Sequence, residues 1–275
     1  MAKQEVTKTE KAGLPAEAEF LAKLADDTEG EVLGRDDISI PYLRILQQLS
    51  PQVDEDDPAY IEGAKPGMIV NTLTGDLYEK GEGFLFVPCA YKVSYVEWVP
   101  RREGGGLVAE YSVAQGEACP VIRDDSNNDV IQKGAPDCFT PGNHLLKTHT
   151  HVIRFQNKSG NTVGAVMNMT KTQLKPSMDM NGLIMDNAIS GKAIRYAHQF
   201  KATTVLKTKG DDKWYVWHFE RIGFANKDDI LDAKAFAEAL AAGEVKVDME
   251  KSMDDTVAKP KPSDNDSVID EEVPF

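Results

Sequence analysis

Apolar and polar positions change their rhythm along this chain, and each change marks a different kind of segment. Residues 1–37 mix Lys, Glu, Ala and Thr, with Phe20, Leu21 and Leu24 as a small apolar group, and read as a flexible arm. Ile40, Leu43, Ile45, Leu46 and Leu49 then give a short extended piece and a helical turn, stopping at Ser50-Pro51 because proline disfavours helix in the residue before it. From Gly67 onward the pattern is that of strands, at residues 68–73, 83–87 and 91–99, rich in β-branched and aromatic side chains, with Thr74-Gly75-Asp76 as a turn. Residues 101–143 carry a triple glycine, an Asp/Asn-rich run and Gly134-Ala135-Pro136, which predicts a long loop holding one hairpin. Strands resume at 147–156 and 162–169, joined by a polar turn at 157–161. Leu174, Met178, Leu183, Ile184, Ile189 and Ile194 fall at roughly helical spacing, but Pro176, Gly182 and Gly191 interrupt them, so two short helices are expected over 170–196. Strands at 200–206 and 214–222 follow, and an Ala-rich helix is predicted over 227–242, with Asp228 and Asp229 in its first turn and Gly243 past its end.

About seven short strands with a helical insertion and a terminal helix predict a mainly β fold. Its expected form is an OB-fold-like β-barrel over residues 38–242, with helical insertions, a long loop at 101–143, a C-terminal helix and a disordered acidic tail at 243–275. A β-sandwich gives the same sequence pattern.

Composition narrows the function classes. With 41% hydrophobic and 28% charged residues, the chain has the make-up of an ordinary soluble protein. It shows no apolar run of membrane-spanning length and no secretory leader. Three unclustered cysteines fit a reducing cytoplasm better than a disulfide scaffold. The net charge of −14 is unevenly spread: residues 1–70 carry −8, 71–143 carry −5, 144–225 carry +7 and 226–275 carry −8. An acidic chain binds polyphosphate only if its cations are segregated, and here they are segregated in sequence.

Binding single strands takes cations that follow phosphates and flat rings on which unpaired bases stack. Strand alternation places Lys213, Tyr215, Trp217, Phe219 and Arg221 on one face, which is the candidate binding face, and Trp214, Val216, His218, Glu220 and Ile222 on the other. A second candidate cluster is Tyr91, Tyr95 and Trp98 running into Arg101, Arg102 and the triple glycine. Lys147, Arg154, Lys158, Lys171, Lys175, Lys192, Arg195, Lys201, Lys207 and Lys209 are further groove candidates. The competing reading of the aromatics is that they are core. Cys119, Cys138, His144, His149 and His151 are ligand types for zinc, but they have neither Cys-x-x-Cys spacing nor the usual finger arrangement, so no metal is expected. Phosphate-cradling and nucleophile-elbow motifs are absent from the sequence, and neither an enzyme nor a cofactor is expected.

The chain closes on Asp270, Glu271, Glu272, Val273, Pro274 and Phe275, three acids and an apolar hook. Together with the basic, aromatic β region and the stretch Thr170-Lys171-Thr172-Gln173-Leu174-Lys175-Pro176-Ser177, this tip resembles phage-encoded single-stranded DNA-binding proteins of OB-fold type. The resemblance implies coating of exposed DNA strands in replication and recombination. It also implies recruitment of a polymerase, helicase/primase or nuclease through residues 270–275. The alternatives are a protein-only adaptor or transcription regulator using the acidic tail, and a metal-dependent nuclease.

Overall fold

The computed structural model describes residues 40–245, 247 and 249. The expected arm at 1–37 and almost all of the expected tail, including the tip at 270–275, lie outside the described residues.

Alternation of apolar side chains drives the chain into two antiparallel sheets. The smaller holds β1 (Leu43–Ile45), β2 (Ile69–Asn71) and β3 (Leu77–Tyr78) in that order. The larger contains β4 (Phe84–Trp98), β5 (Leu107–Tyr111), β6 (Val121–Arg123), β7 (Asp129–Ile131), β8 (His144–Gln156), β9 (Thr162–Thr170), β10 (His198–Lys209) and β11 (Asp212–Phe224). Its hydrogen-bonded path runs β11-β10-β4-β8-β7-β6, with β5 added on β4 and β9 on β8. The two strands expected at 83–87 and 91–99 are one, continuous through a bulge between Pro88 and Ala90, where proline lacks the N–H for the ladder.

The mainly β expectation holds, with its C-terminal helix, but the sheets do not close into a barrel. The free edges of β9 and β11 never pair. The chain at Pro41–Gln47 lies between them and is too short to ladder both: Val166 N–H donates to Pro41 C=O at 2.9 Å on one side. On the other, the Gln47 amide accepts from Tyr215 N–H at 2.9 Å and donates to Tyr215 C=O at 3.0 Å. Gln173 repeats the device, accepting from Trp217 N–H at 2.9 Å. Side-chain amides thus take the place of a neighbouring strand and satisfy an edge that would otherwise invite pairing.

The 170–196 region differs from expectation. It forms a 3-10 turn at Lys171–Gln173 and, after the one-turn α1 (Val113–Ala118) earlier in the chain, a single helix α2 (Leu174–Asp186). Pro176 sits in the first turn, where its missing N–H breaks no helical bond, so it does not divide the helix. Helix α3 (Lys227–Ala241) starts from Asn226, whose side chain accepts from Asp229 N–H at 2.9 Å. The main core lies between the inner sheet face and α2, joining Phe84, Phe86, Phe155, Met167, Phe200, Trp217 and Phe219 with Met180 and Ile184. Among the described residues, no helix is long and apolar enough to cross a membrane.

Candidate nucleic-acid interface

The β10–β11 hairpin carries five cations that make no ion pair among the described residues. Its tip is the two-residue loop Gly210-Asp211 between the paired Lys209 and Asp212, with Gly210 at φ 60°, the conformation the first position of a tight hairpin turn needs. The turn expected at 207–212 is therefore tighter, and Lys207, Lys209 and Lys213 project from strand rather than loop, all exposed. Among the described residues, Lys201, Lys207, Lys209, Lys213 and Arg221 have no carboxylate within 4.0 Å.

The two faces of β11 are the reverse of the expected assignment. Trp217 is 3% exposed and stacked 5.8 Å from Phe219 in the core, so it is unavailable to a base. The Tyr215 ring lies against Gly67, where even a methyl group would collide, and Lys80 covers it at 5.8 Å. The side taken as the back is outward: Trp214 is half-buried opposite Lys207, and His218, Glu220 and Ile222 are exposed, with Val216 the buried exception.

The second cluster is dispersed. Trp98 is buried with Val96, Leu146 and Met249 on the opposite side of the sheet from Tyr95. Tyr95 lies half-buried under α1, touching Gly116, and Lys147 stands 5.7 Å over its ring while pairing with Glu117 at 3.6 Å. Arg101 and Arg102 are exposed in a 3-10 turn after β4. Arg154 is spent on Asp232, through bonds of 2.6 and 2.8 Å. Lys175 pairs with Asp179 at 3.2 Å. Lys171 is exposed and adopts φ 50°, a costly conformation for lysine, and bonds the Asn128 side chain of the β6–β7 turn.

Tyr91 belongs to a buried polar cluster. Its ring lies between the Arg195 guanidinium, 5.0 Å away, and the His151 ring, 4.8 Å away. Its hydroxyl meets His149 Nδ1 at 3.1 Å. Ser177 of α2 bridges His149 Nδ1 at 2.8 Å and His151 Nε2 at 2.7 Å. The hydroxyl is fully buried, so it ties helix to sheet and cannot reach a substrate. Both imidazoles are thereby committed, and Cys119 packs in an apolar cluster with Tyr111, Ile131 and Phe139. Among the described residues no three metal-ligating side chains come together.

Burial lowers the pKa of His149, reinforced by Lys147, and of His198, reinforced by Arg221 and Arg195. His151 falls furthest, from burial and then from Arg195 and His149. The unfolded chain takes protons on these groups near pH 6.5 while the native state keeps them neutral, so stability is full above pH 6.5 and declines below it. His151 alone contributes a slope approaching ~1.4 kcal/mol per pH unit. Thermal melts between pH 8 and pH 5 should show a plateau and then a steady fall starting near pH 6.5; an unchanged melting temperature down to pH 5 would contradict buried neutral histidines.

Sequence reasoning missed His198 and Phe224 as functional candidates. Phe224, 56% exposed, ends β11 beyond the predicted strand boundary, and the signal that could have found it is an aromatic three residues after Arg221. In comparisons with known proteins, the family described as Pam3 phage gp34-like protein matches residues 8–246. Neither a curated protein nor a solved structure matches.

Proposed function

The chain belongs to the Pam3 phage gp34-like protein family and is a phage protein, and on that premise we propose that it binds single-stranded DNA without catalysing a reaction on it. The observation that carries this reading is the β10–β11 hairpin, whose Lys201, Lys207, Lys209, Lys213 and Arg221 lack carboxylate partners among the described residues; Lys201, Lys207 and Lys209 share the outward face with Trp214 and His218, and Arg221 stands beside Phe224. Cations already paired with acids contribute little to phosphate binding, because the acid must be displaced first. Those on the hairpin carry no such cost. In an acidic protein, such a segregated patch is where a polyanion can approach. Aromatic and imidazole rings between the cations favour unpaired bases over a closed duplex.

Titration of the full chain with oligo-dT and with duplex DNA, followed by tryptophan fluorescence, tests this. With about five phosphate contacts, affinity for the single strand should fall on the order of 100-fold between 50 and 200 mM salt. Equal affinity for duplex, or affinity independent of salt, would sink the proposal. The acidic residues 270–272 and apolar residues 273–275 are proposed to recruit replication or recombination proteins, and to compete with DNA for the cations. A chain lacking 268–275 should bind oligo-dT at least as tightly while losing capture of a phage or host polymerase, helicase/primase or nuclease. Weaker DNA binding with capture intact would reject the tail's role.

A further inference from the structure

Among the described residues, Phe224 is the only exposed aromatic side chain. Every other Phe, Tyr and Trp there is buried or half-buried, so its position at the end of β11 calls for a reason. Local geometry supplies one. The β10–β11 register shifts between Gln199 and Phe200: Gln199 pairs with Gly223 and Phe200 with Arg221, leaving Ile222 as the extra residue. Bulges of this kind re-aim the side chains that follow them. Here the shift brings Arg221 and Phe224 together, with the guanidinium 4.8 Å from the ring centroid.

The guanidinium is held rather than loose. Arg221 Nε donates to His198 Nδ1 at 3.1 Å. Arginine is always the donor in such a pair, so Nδ1 is the acceptor and neutral His198 carries its proton on Nε2. His198 is fully buried, and its ring also props Phe224 at 5.2 Å. One nitrogen of the guanidinium is thus used for orientation. Among the described residues its two terminal amino groups take no partner, which leaves them as a fork for a phosphate.

Nearby Arg195 donates to Asn181 Oδ1 at 2.8 Å and, among the described residues, has no carboxylate within 4.0 Å. The ionisable groups felt most strongly by Arg195 are the Tyr91 phenol and the Cys89 thiol, the latter pushed up to about 12 by burial and therefore neutral. Two guanidiniums, a neutral imidazole and an open ring make an electropositive spot with a flat apolar floor.

We infer that the end of β11 is a seat for one nucleotide of single-stranded DNA, with the base stacked on Phe224 and the adjoining phosphodiester on the terminal amino groups of Arg221. His198 is a positioning residue for the guanidinium, and Arg195 adds positive potential. A duplex cannot use the seat, since its base faces are covered. The seat deepens the single-strand reading given above and rests on it.

The test uses the full chain and oligo-dT carrying 5-iodouracil, with photo-crosslinked peptides mapped by mass spectrometry and affinities measured in parallel for Phe224→Ala, Arg221→Gln and Arg221→Lys. The expected results are an adduct at Phe224, a roughly tenfold loss of affinity in Phe224→Ala, and in Arg221→Gln a similar loss with a salt slope shallower by about 0.7. Arg221→Lys should keep the slope but lose part of the affinity, because lysine keeps the charge without the planar fork. The exposed Phe224 can be truncated without disturbing the core, so its melting temperature serves as the control for folding. If the wild type binds oligo-dT while both Phe224→Ala and Arg221→Gln bind equally well and adducts form only elsewhere, the seat is overturned and the single-strand reading stands. A wild type that does not bind oligo-dT overturns both.

Discussion

Replacing Trp217 with Ala should destabilise the protein by about 3–5 kcal/mol, the cost of removing a large aromatic from a packed core. Trp217 is 3% exposed, stacks on Phe219 at an interplanar angle of 15°, and shares the main core with Phe86, Phe200 and Met180. Rigid neighbours limit collapse into the space left behind. The strand backbone at Trp217 is tied to Gln173, and within the cluster Phe86 stacks on Phe200 at 5.8 Å. In a protein with a typical reserve of ~5–15 kcal/mol, such a loss takes away much of the stability. Urea unfolding followed by circular dichroism should show the midpoint moving sharply down with little change in slope. A loss below about 1 kcal/mol would return Trp217 to the surface and reopen the expected stacking role.

Glu97→Ala should cost roughly 3 kcal/mol or more, because it strands several buried donors at once. The side chain is fully buried on the inner face of β4. One carboxylate oxygen accepts from Tyr111 Oη at 2.7 Å, and the other accepts from Thr140 N–H at 2.9 Å and from Asn143 Nδ2 at 2.6 Å. Those three donors sit along the excursion between β4 and β8, so one acid gathers the whole segment onto the sheet. The Tyr111 hydroxyl, its pKa raised by burial and by Glu97, stays protonated as a donor. In the variant, amide hydrogen exchange should quicken across 107–143 while β10–β11 keeps its protection. Uniform acceleration would mean that Glu97 supports the entire fold and not the excursion alone.

Much of the local structure could be read from the sequence. Turn chemistry placed the β8–β9 connection, and the Asp228-Asp229 and Gly243 signals bounded α3 to within a residue of its observed end. In the excursion the hairpin was legible, as β6–β7, but β5, which ladders onto β4, and α1 fall where a loop was expected. The anchor of the excursion was not legible, since nothing in the sequence says that a glutamate in a strand will be buried and met by donors 14 to 46 positions away.

Periodic or local features followed from the sequence alone: most of the strands, which residues share a face, the bounds of α3, and the collection of positive charge between 144 and 225. Alternation fixes the membership of a face but not its direction. β11 has aromatics on both sides, Trp217 and Phe219 on one and Trp214 on the other, so only packing against Phe86 and α2 decided which side turned inward. Charge balance is likewise a property of sequence, while the freedom of each cation is not. Arg154 is neutralised by Asp232, 78 residues away, whereas the hairpin lysines meet no acid among the described residues. Closure of the sheet was also a tertiary outcome. Whether two edges meet depends on the summed twist and bend of every strand between them, and here the edges of β9 and β11 stop short of each other, leaving the glutamine amides to satisfy β11.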